Sequence, residues 1–258
     1  MNVTNSSAPY FEEFSRASEL NEFTAVSFAD RVASYVPDQR LRTLSTTSDD
    51  QPLLRTVDPL DAVSTRRVSV RMFSSAEITE LQLGSLLQGF AADSAGRRMF
   101  PSAGGLYPIE VVVALARVQR TPRQIAVYHP DTHALGCIAD LPPWPEWQNV
   151  LGSGIETEPA VTIFLCAHID VMCEKYNERG GRFVLLEIGH AGQMLALRAV
   201  ASGLGAYALG GTLESAANRL FGFAHLADAP IPVLAYACGL PEASAASVSR
   251  RRRWSRNR

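Results

Sequence analysis

The run FVLLEIGHAGQMLALRAVASGLG, residues 183–205, constrains the fold more than any other stretch. Its apolar residues recur all round a helix, so the segment must either cross a bilayer or lie inside a protein core. Glu187, His190, Gln193 and Arg198 interrupt it, and each is costly in hydrocarbon. A buried core helix follows, and no other segment approaches spanning length. A chain of 258 residues, 47% of them hydrophobic, can bury such a helix in one compact unit with dressed ends.

Around that helix the periodicity alternates between types. IEVVVALARV and QIAVYHP read as strands joined by the turn QRTPR, and HPDTHAL signals a further hairpin. AVTIFLCAHI, GLGAYALGGT and PIPVLAYACGLP supply further strand candidates, and LESAANRLFGF a helix. SSAEITELQLGSLLQGFAAD reads as an amphipathic helix capped by Ser75, with Glu77 and Glu80 in its first turn and Ile78, Leu81, Leu86, Leu87 and Phe90 at helical intervals. The fold class predicted is α+β, with an antiparallel or mixed sheet flanked by helices. Residues 1–62 read as an N-terminal helical arm that packs on something else, 63–240 as the main domain, and 241–258 as an arginine-rich tail.

The net charge of −2 hides an asymmetry, because six arginines crowd into 250–258 and leave the body with 18 basic against 26 acidic residues. An acidic body argues against a nucleic-acid partner. Cys137, Cys166, Cys173 and Cys238 show no CxxC or metal spacing and read as buried free thiols in a reducing compartment. The N-terminus lacks a basic stretch followed by an apolar one, so no secretory signal is expected and the reading is cytoplasmic, with no membrane partner.

Four motifs carry candidate chemistry. In TRRVSVRMF, the alternating Arg67, Ser69 and Arg71 point one way if the chain is extended, offering two guanidinium forks and a hydroxyl to a phosphate; a solvated basic edge is the plainer reading. PSAGGLYP spends Gly104 and Gly105 where a bulky or flat object can approach the backbone closely. GLGAYALGGT places Gly210 and Gly211 before a helix but matches neither a dinucleotide nor a P-loop fingerprint. In EKYNERGGRF, Lys175 and Tyr176 precede a turn; such side chains titrate near about 10 in water and need burial or neighbours to work as bases at neutral pH. Glu187 and His190 read as a satisfied buried polar pair and not as a metal site, since the pair occurs once.

Taken in order, RRVSVRMF, PSAGGLYPIEV, EKYNERGGRF, LLEIGHAGQMLAL, GLGAYALGG and VLAYACG resemble the nitroreductase-like flavoprotein superfamily. More closely they resemble its SagB-type branch, the azoline dehydrogenases of thiazole/oxazole-modified peptide biosynthesis. The resemblance implies a homodimer with FMN at the interface. It implies that Arg67, Ser69 and Arg71 hold the phosphate, joined by Arg251 and Arg253 of the tail, and that Gln193 and the backbone at Gly210 and Gly211 face the flavin. Pro101, Ser102, Ala103, Gly104 and Gly105 would line the ring from the partner chain, and Lys175 and Tyr176 would handle the proton. The substrate implied is a thiazoline or oxazoline in a modified precursor peptide, with a cyclodehydratase complex beside it. Alternatives are an NAD(P)H-dependent nitro or quinone reductase and a flavin-bound scaffold subunit. The chain departs from the branch pattern at Gly181, where tyrosine is usual, at Met194, where asparagine is, and at Thr212, where an aromatic is.

Overall fold

The computed structural model describes residues 8–21, 23–34, 58–152 and 155–242. Six strands pair antiparallel into one sheet: β1 (Ile109–Leu115), β2 (Gln124–His129), β3 (Ala134–Asp140), β4 (Val161–Ala167), β5 (Gly205–Leu209) and β6 (Ile231–Gly239), in the order β3-β2-β1-β4-β6-β5. Every residue of β4 is buried. A strand reads as a continuous apolar run only when both its faces are covered, and here they are. Val111, Val113, Ile163 and Leu165 pack on one face, while Val112, Ala114, Phe164 and Cys166 pack on the other.

The helices are α1 (Pro9–Ser18), α2 (Thr24–Ser34), α3 (Pro59–Ser64), α4 (Glu80–Leu87), α5 (Trp144–Trp147), α6 (Ile169–Tyr176), α7 (Glu178–Ala201) and α8 (Glu214–Phe221). The apolar run at 183–205 belongs to α7, which is long and apolar enough to cross a membrane. Here it lies against one sheet face, burying Val184, Ile188, Ala191 and Leu195 in the core shared with α4. Trp147 and Phe221 cover the opposite face. Cys166, Cys173 and Cys238 are buried, whereas Cys137 is exposed on the edge strand β3, against the expectation that all four thiols are internal.

Two boundaries differ from expectation. Helix α4 begins five residues after Ser75, capped by Thr79, whose hydroxyl accepts the Gln82 N–H at 3.1 Å while Gln82 Oε1 accepts the Thr79 N–H at 2.9 Å. Ile78 is drawn out of the helix because its N–H donates to Arg117 O at 3.1 Å and its carbonyl accepts the Gln119 N–H at 2.9 Å. Those bonds and its full burial outweigh another helical turn. The Lys175–Tyr176 pair, expected before a turn, ends a helix; the turn is the single residue Asn177 at φ +48°, and α7 starts at once.

The arm is tied to the main body at its first helix and at the chain that follows. The N–H groups of Tyr10 and Phe11 donate to the two carboxylate oxygens of Glu178 at 2.9 and 2.8 Å, so a side chain from α7 neutralises the start of α1. Further on, the Leu20 N–H donates to Glu214 at 3.0 Å and the Ser215 hydroxyl to Glu19 at 2.6 Å. Phe11 lies over Gly181 so closely that a Cβ there would be 2.2 Å from its ring. Gly181 therefore leaves room for an aromatic delivered by the arm. Gly181→Ala is expected to lift α1 from its seat and speed tryptic cleavage at Arg16 by about tenfold, read by limited proteolysis; an unchanged rate would show that the arm is held without Phe11.

Candidate functional site

Residues 67–71 run beside β5. The Val70 N–H donates to Ala206 O at 3.0 Å, and Ser69 bridges Ala206 in parallel register. This brings Arg67 and Ser69 to a cavity of about 70 Å³ shared with Gln193, Ala206, Ala208 and Tyr236. Arg71 is elsewhere: its guanidinium stacks 4.3 Å above the Tyr207 ring, and strand alternation turns Tyr207 away from its neighbours Ala206 and Ala208. The alternation predicted for 67, 69 and 71 thus does not deliver all three side chains to one place. Burial pushes the Tyr236 hydroxyl above its ordinary range, Cys238 adds to that, and the Arg67 charge opposes it.

Gly210 and Gly211 follow β5 directly, just beyond Ala208. A Cβ at Gly210 would meet nothing, so that backbone is open to an approaching ligand; Phe28 of α2 stands 3.9 Å from the corresponding point at Gly211. Thr212 is buried, its hydroxyl donating to Leu209 O at 3.3 Å. Met194 faces Gly89, away from the cavity, and fills the seam between α7 and the turn after α4.

The second cluster lies on the loop Pro101–Pro108. Gly104 and Gly105 both take positive φ, at +63° and +68°. A Cβ on Gly104 would fall 2.5 Å from Tyr176 Oη and 2.6 Å from Lys175 Nζ, while one on Gly105 would meet open space. The object that approaches the glycine backbone in this chain is thus the Lys-Tyr pair itself. Lys175 Nζ sits 5.4 Å from the Tyr176 ring centre, and Phe183 braces that ring edge-on at 5.0 Å. His168 joins the loop to α6: its N–H donates to Pro108 O at 2.9 Å, and its Nε2 lies 2.8 Å from Glu110 Oε2, a hydrogen bond that raises the imidazole pKa against the opposing effect of burial.

Glu187 and His190 are not a satisfied pair. Glu187 is 2% exposed, and neither oxygen has a partner at good hydrogen-bond geometry; His190 is exposed on another side of α7. Sequence reasoning also missed Arg98, which lies just before PSAGGLYP, and gave no role to Tyr107 within that motif or to Tyr236 within VLAYACG. Arg251 and Arg253 lie outside the described residues.

The cavity at Arg67 suits the anionic end of FMN: a guanidinium, a hydroxyl and a carboxamide converge where Ala206 and Ala208 leave room. Its volume fits one small anion and no tricyclic ring, so the ring would lie outside, along the open Gly210 backbone.

The six-stranded antiparallel sheet with α7 on one face is the α+β architecture of flavin oxidoreductases in the nitroreductase class. The nitroreductase family model matches residues 65–240, and the chain belongs to that family. A proposed nitroreductase of Methanocaldococcus jannaschii is 30% identical over 156 residues, covering 58% of this chain and 78% of that protein. Among solved structures, a proposed nitroreductase of Ralstonia eutropha aligns with a TM-score of 0.61 at 23% identity, covering 75% of this chain and 88% of its own. A chain of the Escherichia coli microcin synthetase McbBCD complex, solved with truncated pro-MccB17 bound, aligns with a TM-score of 0.61 at 20% identity over 84% of this chain and 86% of that one.

Proposed function

We propose that this protein is an FMN-dependent dehydrogenase that oxidises thiazoline or oxazoline rings in a peptide to the aromatic azoles. The observation that carries the reading is the convergence of Lys175 Nζ and Tyr176 Oη on Gly104. Aromatising an azoline removes a proton from Cα and a hydride from Cβ, so a base must stand opposite a hydride acceptor. Bound FMN would supply that two-electron acceptor. Lys175 takes the proton and Tyr176 orients its amine, while Gly104 leaves space for both.

Arg67, Ser69 and Gln193 would hold the phosphate. Two chains pairing through α7 would bring one chain's Pro101–Gly105 loop to the other's cavity; Leu185 and Leu186 are exposed there beside Gly189, where an added Cβ would meet nothing. The fold shared with a chain of the microcin synthetase complex, whose solved structure has truncated pro-MccB17 bound, supports a peptide as substrate and a complex as setting.

The test is incubation of the FMN-loaded protein with a thiazoline-bearing peptide. A product two hydrogens lighter supports the reading; no mass loss, with rapid NAD(P)H oxidation by nitroaromatics or quinones, replaces it with the reductase reading that the family match favours. Within the phosphate site, Arg67→Ala is expected to weaken FMN about ten- to a hundredfold, and Arg71→Ala by less than about threefold, in a flavin fluorescence titration. Equal losses would return Arg71 to the phosphate.

A further inference from the structure

Tyr236 of β6 is only 9% exposed, yet its hydroxyl has no hydrogen-bond partner among the described residues. Thr162 Oγ1 and Trp147 Nε1 share that lack but are sealed from solvent; Tyr236 Oη is not sealed, and the space Tyr236 borders is the cavity that holds Arg67. A buried phenol ordinarily finds a partner, because an unpaired polar group in a protein interior costs about 1–3 kcal/mol. The missing partner points to something that enters the cavity.

We propose that the Tyr236 hydroxyl is a ligand of an anion bound in the Arg67 cavity, donating to a phosphate oxygen, and that this contact helps the site distinguish FMN from flavin without a phosphate. That the phosphate is the one on FMN rests on the reading given above; the anion site does not.

The backbone sets the place of the phenol. Tyr236 is the register partner of Ala208, so the two side chains rise from the same sheet face. Alanine there and at position 206 leaves space beside the ring. The phenol runs from the sheet to α7, where a Cβ on Gly192 would lie 2.7 Å from Oη and 3.0 Å from Cε2. Glycine is what admits the ring so close to the helix. Gln193, the next residue, lines the same cavity.

Three separate elements thus bring polar groups to one space of about 70 Å³: Arg67 and Ser69 from the segment beside β5, Gln193 from α7 and Tyr236 from β6. The side chains of Arg67, Ser69 and Gln193, like the Tyr236 hydroxyl, make no hydrogen bond to another described residue. Among the described residues no carboxylate lines the cavity, so a fixed positive charge and three neutral donors face inward without a competing acceptor charge. A phenol titrates near about 10 in water and burial pushes this one higher, so it stays a donor at neutral pH. For packing alone, phenylalanine would serve as well.

Tyr236→Phe keeps the ring and removes only the hydroxyl, and fluorescence titrations of the full chain with FMN and with riboflavin, which lacks the phosphate, test the proposal. FMN affinity should fall about tenfold or more, as when a hydrogen bond to a charged group is lost, while riboflavin affinity stays within about twofold. Without flavin, the variant's thermal midpoint should equal or exceed that of wild type, because the hydroxyl removed was bonded to nothing in the protein. Inorganic phosphate alone should raise the wild-type midpoint and raise the variant's less. Unchanged FMN affinity overturns the proposal; so does an equal loss of riboflavin affinity or a lowered midpoint, either of which makes the hydroxyl part of the fold. If wild type binds no FMN, the functional reading falls and the phosphate effect decides this one: a smaller rise in the variant sustains it, and an equal rise, or none in wild type, overturns it. Azoline turnover does not enter these measurements, so its absence would leave the anion contact standing.

Discussion

Lys175→Ala is expected to lower turnover of a thiazoline peptide by about 10²- to 10⁴-fold, the usual contribution of a positioned acid or base, while FMN affinity stays within about twofold. The separation follows from where Lys175 sits. It is exposed in the last turn of α6, has no part in either hydrophobic core, and is not among the residues around the Arg67 cavity. Truncating an exposed side chain of this kind shifts stability by about 0.5 kcal/mol at most, so lost turnover could not be assigned to unfolding. The measurement is single-turnover oxidation followed by mass, beside a flavin titration of the same preparation. Wild-type turnover in the variant would strip Lys175 of the role; lost flavin would show that the residue serves the cofactor instead.

Gly104→Ala and Gly105→Ala form the second test. Both residues hold positive φ, so each alanine pays a comparable backbone strain, of about 1 kcal/mol. Their surroundings differ. At 104 the new methyl would lie 2.5 Å from Tyr176 Oη and 2.6 Å from Lys175 Nζ, whereas at 105 it would meet nothing. The two polar ends can swing aside, so Gly104→Ala should fold yet lose about a hundredfold or more in turnover, as a reacting group displaced by roughly an ångström does. Gly105→Ala should lose stability to a similar extent and keep turnover within about threefold. Thermal unfolding of both variants alongside kinetics separates the shared strain from the contact. Equal activities would mean that the nearness of Gly104 to the Lys-Tyr pair has no catalytic weight.

The family model spans 65–240, the stretch that carries every motif quoted from the main body. Much of the candidate site is legible without coordinates because it lies in local signals. The alternation of Arg67 and Ser69, the paired glycines at 104 and 105, and the adjacency of Lys175 and Tyr176 are short-range facts. Where the reading and the structure part, a long-range contact is the cause. Ile78 leaves its helix for a bridge to Val118, and Glu187 turns into the core while His190 faces outward from another side of α7. Arg71 turns to Tyr207, a residue that no pattern near position 71 announces.

By itself the sequence determined that one apolar helix must be enclosed by a mixed set of strands and helices, since no arrangement of exposed elements could bury residues 183–205. It also determined which short stretches hold reactive or phosphate-seeking side chains. Only the tertiary structure decided that Gly104 faces Lys175 and Tyr176, that Phe11 fills the space at Gly181, and that Glu187 lies buried without a partner. Contacts of that kind join residues far apart in the chain, and their geometry is set by how helices close over the sheet, which periodicity does not encode.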